Sequence, residues 1–277
     1  MSGPLVAVSW LRERLGDRGL RVVDCRYRLG ERGAGEALWR EGHIPGAAFM
    51  DLDRDLAAEP GERGRHPLPD AQAFESVARR AGIGPGTLVI AYDEAAEGGA
   101  ARLWWLLRHF GHDRVAVLDG GLRGWRQQGG PLEAGTERPG EAGAFMAQPR
   151  DGDTRELDEL AAAPPNAERL LLDARAPERY RGEVEPIDSV AGHMPGAASL
   201  PFAELAPAGT FLTPHELRAR FEAAGAAPGR ELVAYCGSGV TACVTLLAAE
   251  LAGLGPGRLY PGSWSEWSAR GLPVERH

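Results

Sequence analysis

The sequence predicts a duplicated α/β chain, and two observations carry that prediction. Short apolar runs alternate with stretches of helical periodicity, the pattern of a mostly parallel sheet covered on both faces. The alternation then runs a second time, with matching landmarks in the same order.

Val8, Trp10, Leu11 and Leu15 recur at helical spacing and predict a first short helix, with Ser9 as its cap. The apolar run LRVVDCRY, residues 20–27, predicts a buried strand ending at Asp24. The segment EGHIPGAAFMDLD follows at 41–53. After Pro69, Phe74, Val77 and Ala78 mark a helix that leads to a strand over 87–92. A helix over 101–110 precedes VAVLDGGLRGW, which predicts a strand, a turn and a short helix ending near Trp125.

The second half repeats this programme. LLLDAR matches LRVVDCR, with Asp173 in the place of Asp24. His193-Met194-Pro195-Gly196-Ala197 echoes His43-Ile44-Pro45-Gly46-Ala47, and LVAYC matches VIAYD, which sets Cys236 opposite Asp93. LYPGSWSEW matches VLDGGLRGW, with Trp267 opposite Trp125. These matches recur at offsets of about 142 to 150 residues. The aperiodic Pro/Gly/Glu-rich run 133–149 suits a linker, so the domains are expected at 1–138 and 153–277, with 139–152 between them.

The chemistry is expected at one stretch of the second half. A strand over 232–235 runs into Cys236-Gly237-Ser238-Gly239-Val240-Thr241, and a helix begins at Thr241 or Ala242. Two glycines let this loop turn tightly, so that successive amides face one centre and the helix adds its positive end. A cysteine after a buried strand is ordinarily a small core residue. Such a residue needs no anion cradle around it, and the cradle points to a reactive thiolate. Thr241 suits a helix cap as well as a ligand contact. No Gly-Lys-Ser/Thr follows the glycines, which argues against a nucleotide phosphate loop. Arginine is also missing from the end of the loop, where cysteine-dependent phosphatases need it to grip phosphoryl oxygens.

Composition narrows the classes further. Of 277 residues, 43% are hydrophobic and 25% charged, values of a globular chain. A net charge of −8 argues against an extended nucleic-acid surface. Three cysteines without paired spacing fit neither a disulfide framework nor a structural zinc site. No metal or cofactor is expected. The opening MSGPLVAVSWLRERL lacks the apolar region of a secretory signal, and no stretch reaches the length of a membrane span. The expectation is a cytoplasmic protein with no membrane or nucleic-acid partner.

The HIPGA and HMPGA segments, the CGSGVTA loop at 236–242, RYRGEVEP at 179–186 and YPGSWSEW near the end together resemble the tandem-domain rhodanese family. This family comprises the thiosulfate and 3-mercaptopyruvate sulfurtransferases. The resemblance covers nearly the whole chain. It implies two similar domains, each a parallel sheet of about five strands flanked by helices, with the active site carried by the second. It also implies a persulfide on Cys236, passed from a small anionic donor to a thiol or cyanide acceptor, thioredoxin among them. Asp93 cannot carry sulfur in this way, so the first domain is expected to be a catalytically silent duplicate.

By the same resemblance Arg179 matches the arginine that grips the donor's anionic end, a task suited to a planar fork of donors. Ser238, Asp53 and His66 match the serine, aspartate and histidine that work with the cysteine in the mercaptopyruvate enzymes. Gly237, Gly239, Val240 and Thr241 complete the substrate-binding loop. Cys243, two helical turns beyond Cys236, is expected in the core, with a resolving role as the alternative. A short uncharged loop suits monoanionic 3-mercaptopyruvate better than dianionic thiosulfate. Against this, Ile187 stands where the mercaptopyruvate enzymes carry a second arginine. The donor expectation is 3-mercaptopyruvate, with thiosulfate or a persulfide relay as alternatives.

Overall fold

The computed structural model of the chain describes residues 3–135, 142–162 and 166–277. Part of the expected linker, 139–141, lies outside the described residues. The chain divides into two compact units: Met1–Ala58, Leu68–Arg150 and Ala208–Thr210 form the first, and Glu59–Pro67, Asp151–Pro207 and Phe211–His277 the second.

The first unit runs β1 (Leu5–Val6), α1 (Val8–Arg14), β2 (Leu20–Asp24), α2 (Ala34–Glu41), β3 (Ala48–Phe49), α3 (Ala71–Arg80), β4 (Leu88–Tyr92), α4 (Gly99–His109), β5 (Val115–Leu118) and α5 (Gly121–Gln127). Its five described strands are all parallel, in the order β1-β5-β4-β2-β3. Val22, Ile90, Tyr92, Ala116 and Leu118 pack on Val8, Leu11 and Trp125 to form one core. Strands covered on both faces are apolar on both faces, which is why these runs show no alternation in sequence.

The second unit runs α6 (Leu157–Ala162), β6 (Arg169–Asp173), α7 (Pro177–Arg181), β7 (Ala198–Ser199), α8 (Phe202–Leu205), α9 (Pro214–Ala223), β8 (Glu231–Tyr235), α10 (Ala242–Leu251), β9 (Arg258–Leu259) and α11 (Ser263–Ala269). Its four described strands are parallel in the order β7-β6-β8-β9, the order β3-β2-β4-β5 of the first sheet. Where β1 closes the first sheet, the second has a single parallel bridge, Thr154 to Leu259. Leu171, Val233, Tyr235, Tyr260, Trp264 and Trp267 build its core.

The repeat extends to individual side chains. Asp24 pairs in register with Tyr92, and Asp173 with Tyr235. Arg26 forks onto Asp24 (2.7 Å) and Arg175 onto Asp173 (2.6 Å), each pair essentially without solvent exposure. The His43 ring lies 2.7 Å from the Trp39 carbonyl and the His193 ring 2.7 Å from that of Tyr180, so both histidines brace the turns that follow.

One expected cap is not formed. Helix α1 begins at Val8 with Ala7 in the cap position and no side-chain cap bond, so Ser9 lies inside the first turn. The cause is β1: Leu5 and Val6 pair with β5, and the chain turns into the helix as soon as it leaves the sheet. Among the described residues no helix is long and apolar enough to cross a membrane.

Candidate active site on the second unit

Strand β8 ends at Tyr235, so Cys236 is the first residue beyond the sheet, and it is only 2% exposed. Its amide donates to Ser263 Oγ at 3.1 Å, and its carbonyl accepts from the Trp264 amide at 2.9 Å. The Gly237 carbonyl accepts from the Ser265 amide, also at 2.9 Å. The start of α11 therefore ties down the backbone on both sides of Cys236. Ser263 pays for this with a left-handed backbone, φ 53°, at a position where the first unit has Gly121, φ 56°.

The loop then folds back on the sulfur. The Gly239 amide donates to Cys236 Sγ at 3.1 Å, and Cys243 Sγ donates to the Gly239 carbonyl at 3.4 Å. Gly239 has φ 77°, and a Cβ there would sit 2.6 Å from the Pro261 carbonyl oxygen, so only glycine serves. Val240 is buried, and Cys243 lies fully buried on α10. Thr241 occupies the cap position of α10, but its backbone is already helical and its side chain makes no cap bond. The capping role read for Thr241 from the sequence is therefore not realised.

Ser238, two positions after the cysteine, is buried, and its Oγ lies 2.7 Å from Nδ1 of His66, which is 4% exposed. His66 arrives on the segment Glu59–Pro67, which packs with this unit. The segment is held by the Arg65 amide, which donates to Ser265 Oγ at 3.1 Å, and by Gly64. At Gly64 a Cβ would meet the Gly262 carbonyl oxygen at 2.7 Å. Asp53 is described with the first unit, where its amide donates to the Asp51 carboxylate at 3.0 Å.

Arg179, on the five-residue helix α7, is mostly buried rather than solvated. Its Nε and Nη2 donate to Glu185 at 3.2 and 2.6 Å, and Nη2 also reaches Asp188 at 3.3 Å. Asp188 in turn accepts from Arg65 Nη1 at 2.7 Å. The two guanidiniums converge over the residue after the cysteine. A Cβ on Gly237 would lie 3.1 Å from Arg65 Nη2 and 3.6 Å from Arg179 Nη1. Ile187, the departure from the mercaptopyruvate pattern, is 40% exposed.

Sequence reasoning missed Arg65, Asp188, Glu185 and Ser263. The repeat held a clue to the last, since it set Ser263 opposite a glycine. Arg65 gave no signal beyond its place next to His66.

The matching loop of the first unit shows what the cradle does without a thiol. Asp93 is 2% exposed, and its Oδ2 accepts from the amides of Gly98 (3.0 Å) and Ala100 (3.2 Å). Burial pushes its carboxyl up from the ordinary range, opposed by the amides of Ala100, Glu97, Gly98 and Ala96. This carboxylate starts α4 at Gly99, ahead of the 101 expected from periodicity. Amides of this loop are thus taken up by the chain's own carboxyl group.

The rhodanese-like domain model matches residues 7–128 and again 154–270. A Pseudomonas aeruginosa chain provisionally named a 3-mercaptopyruvate sulfurtransferase is 45% identical over 273 residues, covering 96% of this chain and 95% of its own length. A Mycobacterium tuberculosis chain provisionally named a thiosulfate sulfurtransferase is 42% identical over 251 residues, covering 90% and 87%. Among solved structures, the 3-mercaptopyruvate sulfurtransferase SseA from Escherichia coli superposes with a TM-score of 0.85 at 32% identity, covering 96% of this chain and all of that one. Two matched domains, one keeping a cysteine in its loop and one an aspartate, make this chain a member of the rhodanese-like family: a tandem-domain sulfurtransferase homologous to the 3-mercaptopyruvate and thiosulfate enzymes.

Proposed function

We propose that the chain moves sulfane sulfur from 3-mercaptopyruvate, through a persulfide on Cys236, to a thiol or cyanide acceptor. The observation that carries this reading is the Gly239 amide on Cys236 Sγ, and the Ser238–His66 contact supports it. The Cys236 thiolate attacks the donor's sulfur, the carbon–sulfur bond breaks, and its electron pair leaves on carbon as the enolate of pyruvate. The enolate takes a proton to become pyruvate, a step we assign to Ser238 with His66, whose 2.7 Å contact supports the pairing. The outer sulfur stays on Cys236 and is then attacked by the acceptor, which restores the thiolate. Asp53 enters on family resemblance alone, as the third member of that proton path.

The donor assignment follows from charge. The loop itself is neutral, and the two guanidiniums beside Gly237 already face the carboxylates of Glu185 and Asp188. Such a balanced site suits a monoanion better than a dianion. The exposed Ile187 favours thiosulfate as the second reading. The setting proposed is cytoplasmic, with a thiol acceptor such as thioredoxin; the three cysteines are buried and none is joined in a disulfide.

Intact-mass measurement after donor treatment without acceptor should show about 32 Da added, removable by cyanide and absent in Cys236→Ser. An adduct that persists in Cys236→Ser, or that disappears only in Cys243→Ser, rules out the assignment. A higher kcat/KM for thiosulfate than for 3-mercaptopyruvate, at saturating acceptor, would move the donor to thiosulfate.

A further inference from the structure

We propose that Arg65 is a second donor-binding residue, standing in for the arginine missing at position 187, and that Asp188 is the shared counter-ion whose charge sets the donor preference. The inference rests on the sulfur-transfer reading for the identity of the ligand, and on the geometry around Gly237 for the residues.

Arg65 reaches the loop from a segment distant in sequence. Its Nη2 would touch a Cβ on Gly237, the residue next to the nucleophile, at 3.1 Å. Only Nη1, at 2.7 Å, makes a close bond to Asp188, with Nη2 at the outer limit of 3.5 Å. Its Nε is buried and has no hydrogen-bond partner among the described residues. A buried guanidinium donor without an acceptor is costly, and an anion over Gly237 is the group that would satisfy it.

Arg179 is arranged in the same way. Its bonds to Glu185 and Asp188 use Nε and Nη2, and Nη1 is left on the Gly237 side. Two planar forks thus offer donors to one point beside Gly237, each steadied from behind by a carboxylate.

Asp188 touches both arginines and is 7% exposed. Its negative charge offsets one of the two positive charges facing the donor, and Glu185 offsets the other. A donor carrying one negative charge meets a balanced site. A donor carrying two adds a surplus, so removing the charge of Asp188 should help the dianion more.

The test uses the full chain with Cys236→Ser, which binds donors without reacting, and calorimetric Kd values for 3-mercaptopyruvate and thiosulfate. Adding Arg65→Ala should weaken both by roughly tenfold to a hundredfold, the effect of one charge-assisted contact. Arg65→Lys should recover part of this, since it keeps the charge without the fork. Asp188→Asn should tighten thiosulfate by a larger factor than 3-mercaptopyruvate. Arg65→Ala and Arg65→Lys values both within twofold of the parent would overturn the role of Arg65. Equal changes for the two donors in Asp188→Asn would overturn the role of Asp188, and a parent that binds neither donor would overturn both. A failure of the sulfur-transfer reading looks different: binding depends on Arg65, yet the enzyme with Cys236 intact gains no sulfur from either donor.

Discussion

Replacing Ser263 tests the anchoring of the nucleophile, and it should invert the usual ranking of two substitutions. Ser263 Oγ accepts the Cys236 amide and donates to the Tyr260 carbonyl at 2.9 Å, and both it and Cys236 are buried. Ser263→Ala leaves that amide without an acceptor, a cost of about 1–3 kcal/mol. The methyl side chain keeps the left-handed strain, so nothing is regained. Ser263→Gly loses the same acceptor but sheds about 1–2 kcal/mol of strain, against about 0.5–1 kcal/mol for the extra freedom of an unfolded glycine. Glycine should therefore be the milder change by roughly 0.5–1 kcal/mol, whereas glycine is ordinarily the harsher choice inside a helix. Urea titration of wild type and both variants, with unchanged m-values, reads the difference directly. Both variants should also load sulfur more slowly, because the peptide carrying Cys236 is freed at one end. A glycine variant less stable than the alanine variant would refute the strain argument. An alanine variant within about 0.5 kcal/mol of wild type would refute the hydrogen bond.

Gly239→Ala should cost at least about 1–2 kcal/mol from its left-handed backbone and should nearly abolish persulfide formation, because the Pro261 oxygen forces the Gly239 amide off the sulfur. Intact-mass kinetics check it, and normal loading would show that this amide is dispensable. Arg175→Ala strands Asp173 in a site without solvent and should lower stability by about 3–5 kcal/mol, measured by urea unfolding. A loss below about 1 kcal/mol would mean that the pair is replaceable by water. Asp93 supplies a pH dependence. Its carboxyl is raised by burial, so the stability it contributes is full below the ordinary carboxylate value and is lost as pH rises through the raised one. Asp93→Asn lacks that loss, and its melting temperature should gain on wild type as pH rises above the ordinary carboxylate value of about 4. A pH-independent difference would show that Asp93 does not titrate there.

What the sequence disclosed was what repeats or has a period. The apolar strands, the Asp24 and Asp173 landmarks and the glycine loop after Tyr235 could all be read because local spacing expresses them. Strands β1, β3, β7 and β9 could not, since two residues form no pattern. Helix α2 enters from left-handed Gly33 without a side-chain cap, which hides its start. The site was half legible for a similar reason. Cys236 and Ser238 share one loop, but Arg65 meets Asp188 across 123 positions and His66 meets Ser238 across 172. Contacts over such separations leave no trace in spacing, and only the family resemblance named His66. It could not name Arg65, because the resemblance carried its second arginine at position 187.

The carboxylate of Asp93 has a consequence for stoichiometry. A ligand tethered to its own receptor competes at an effective concentration in the millimolar range or above, whatever the surrounding solution holds. The first unit's loop already spends two of its amides on its own carboxyl group, and it should therefore be closed to small anions at ordinary concentrations. Saturation of the full chain should accordingly follow a single class of sites. Opening a second would take more than installing a thiol at position 93, because Glu94 and Glu97 flank it where the second unit's loop has Gly237 and Val240. Duplication here has left two matching loops with different fillings, a buried carboxyl group in the first and a buried thiol in the second.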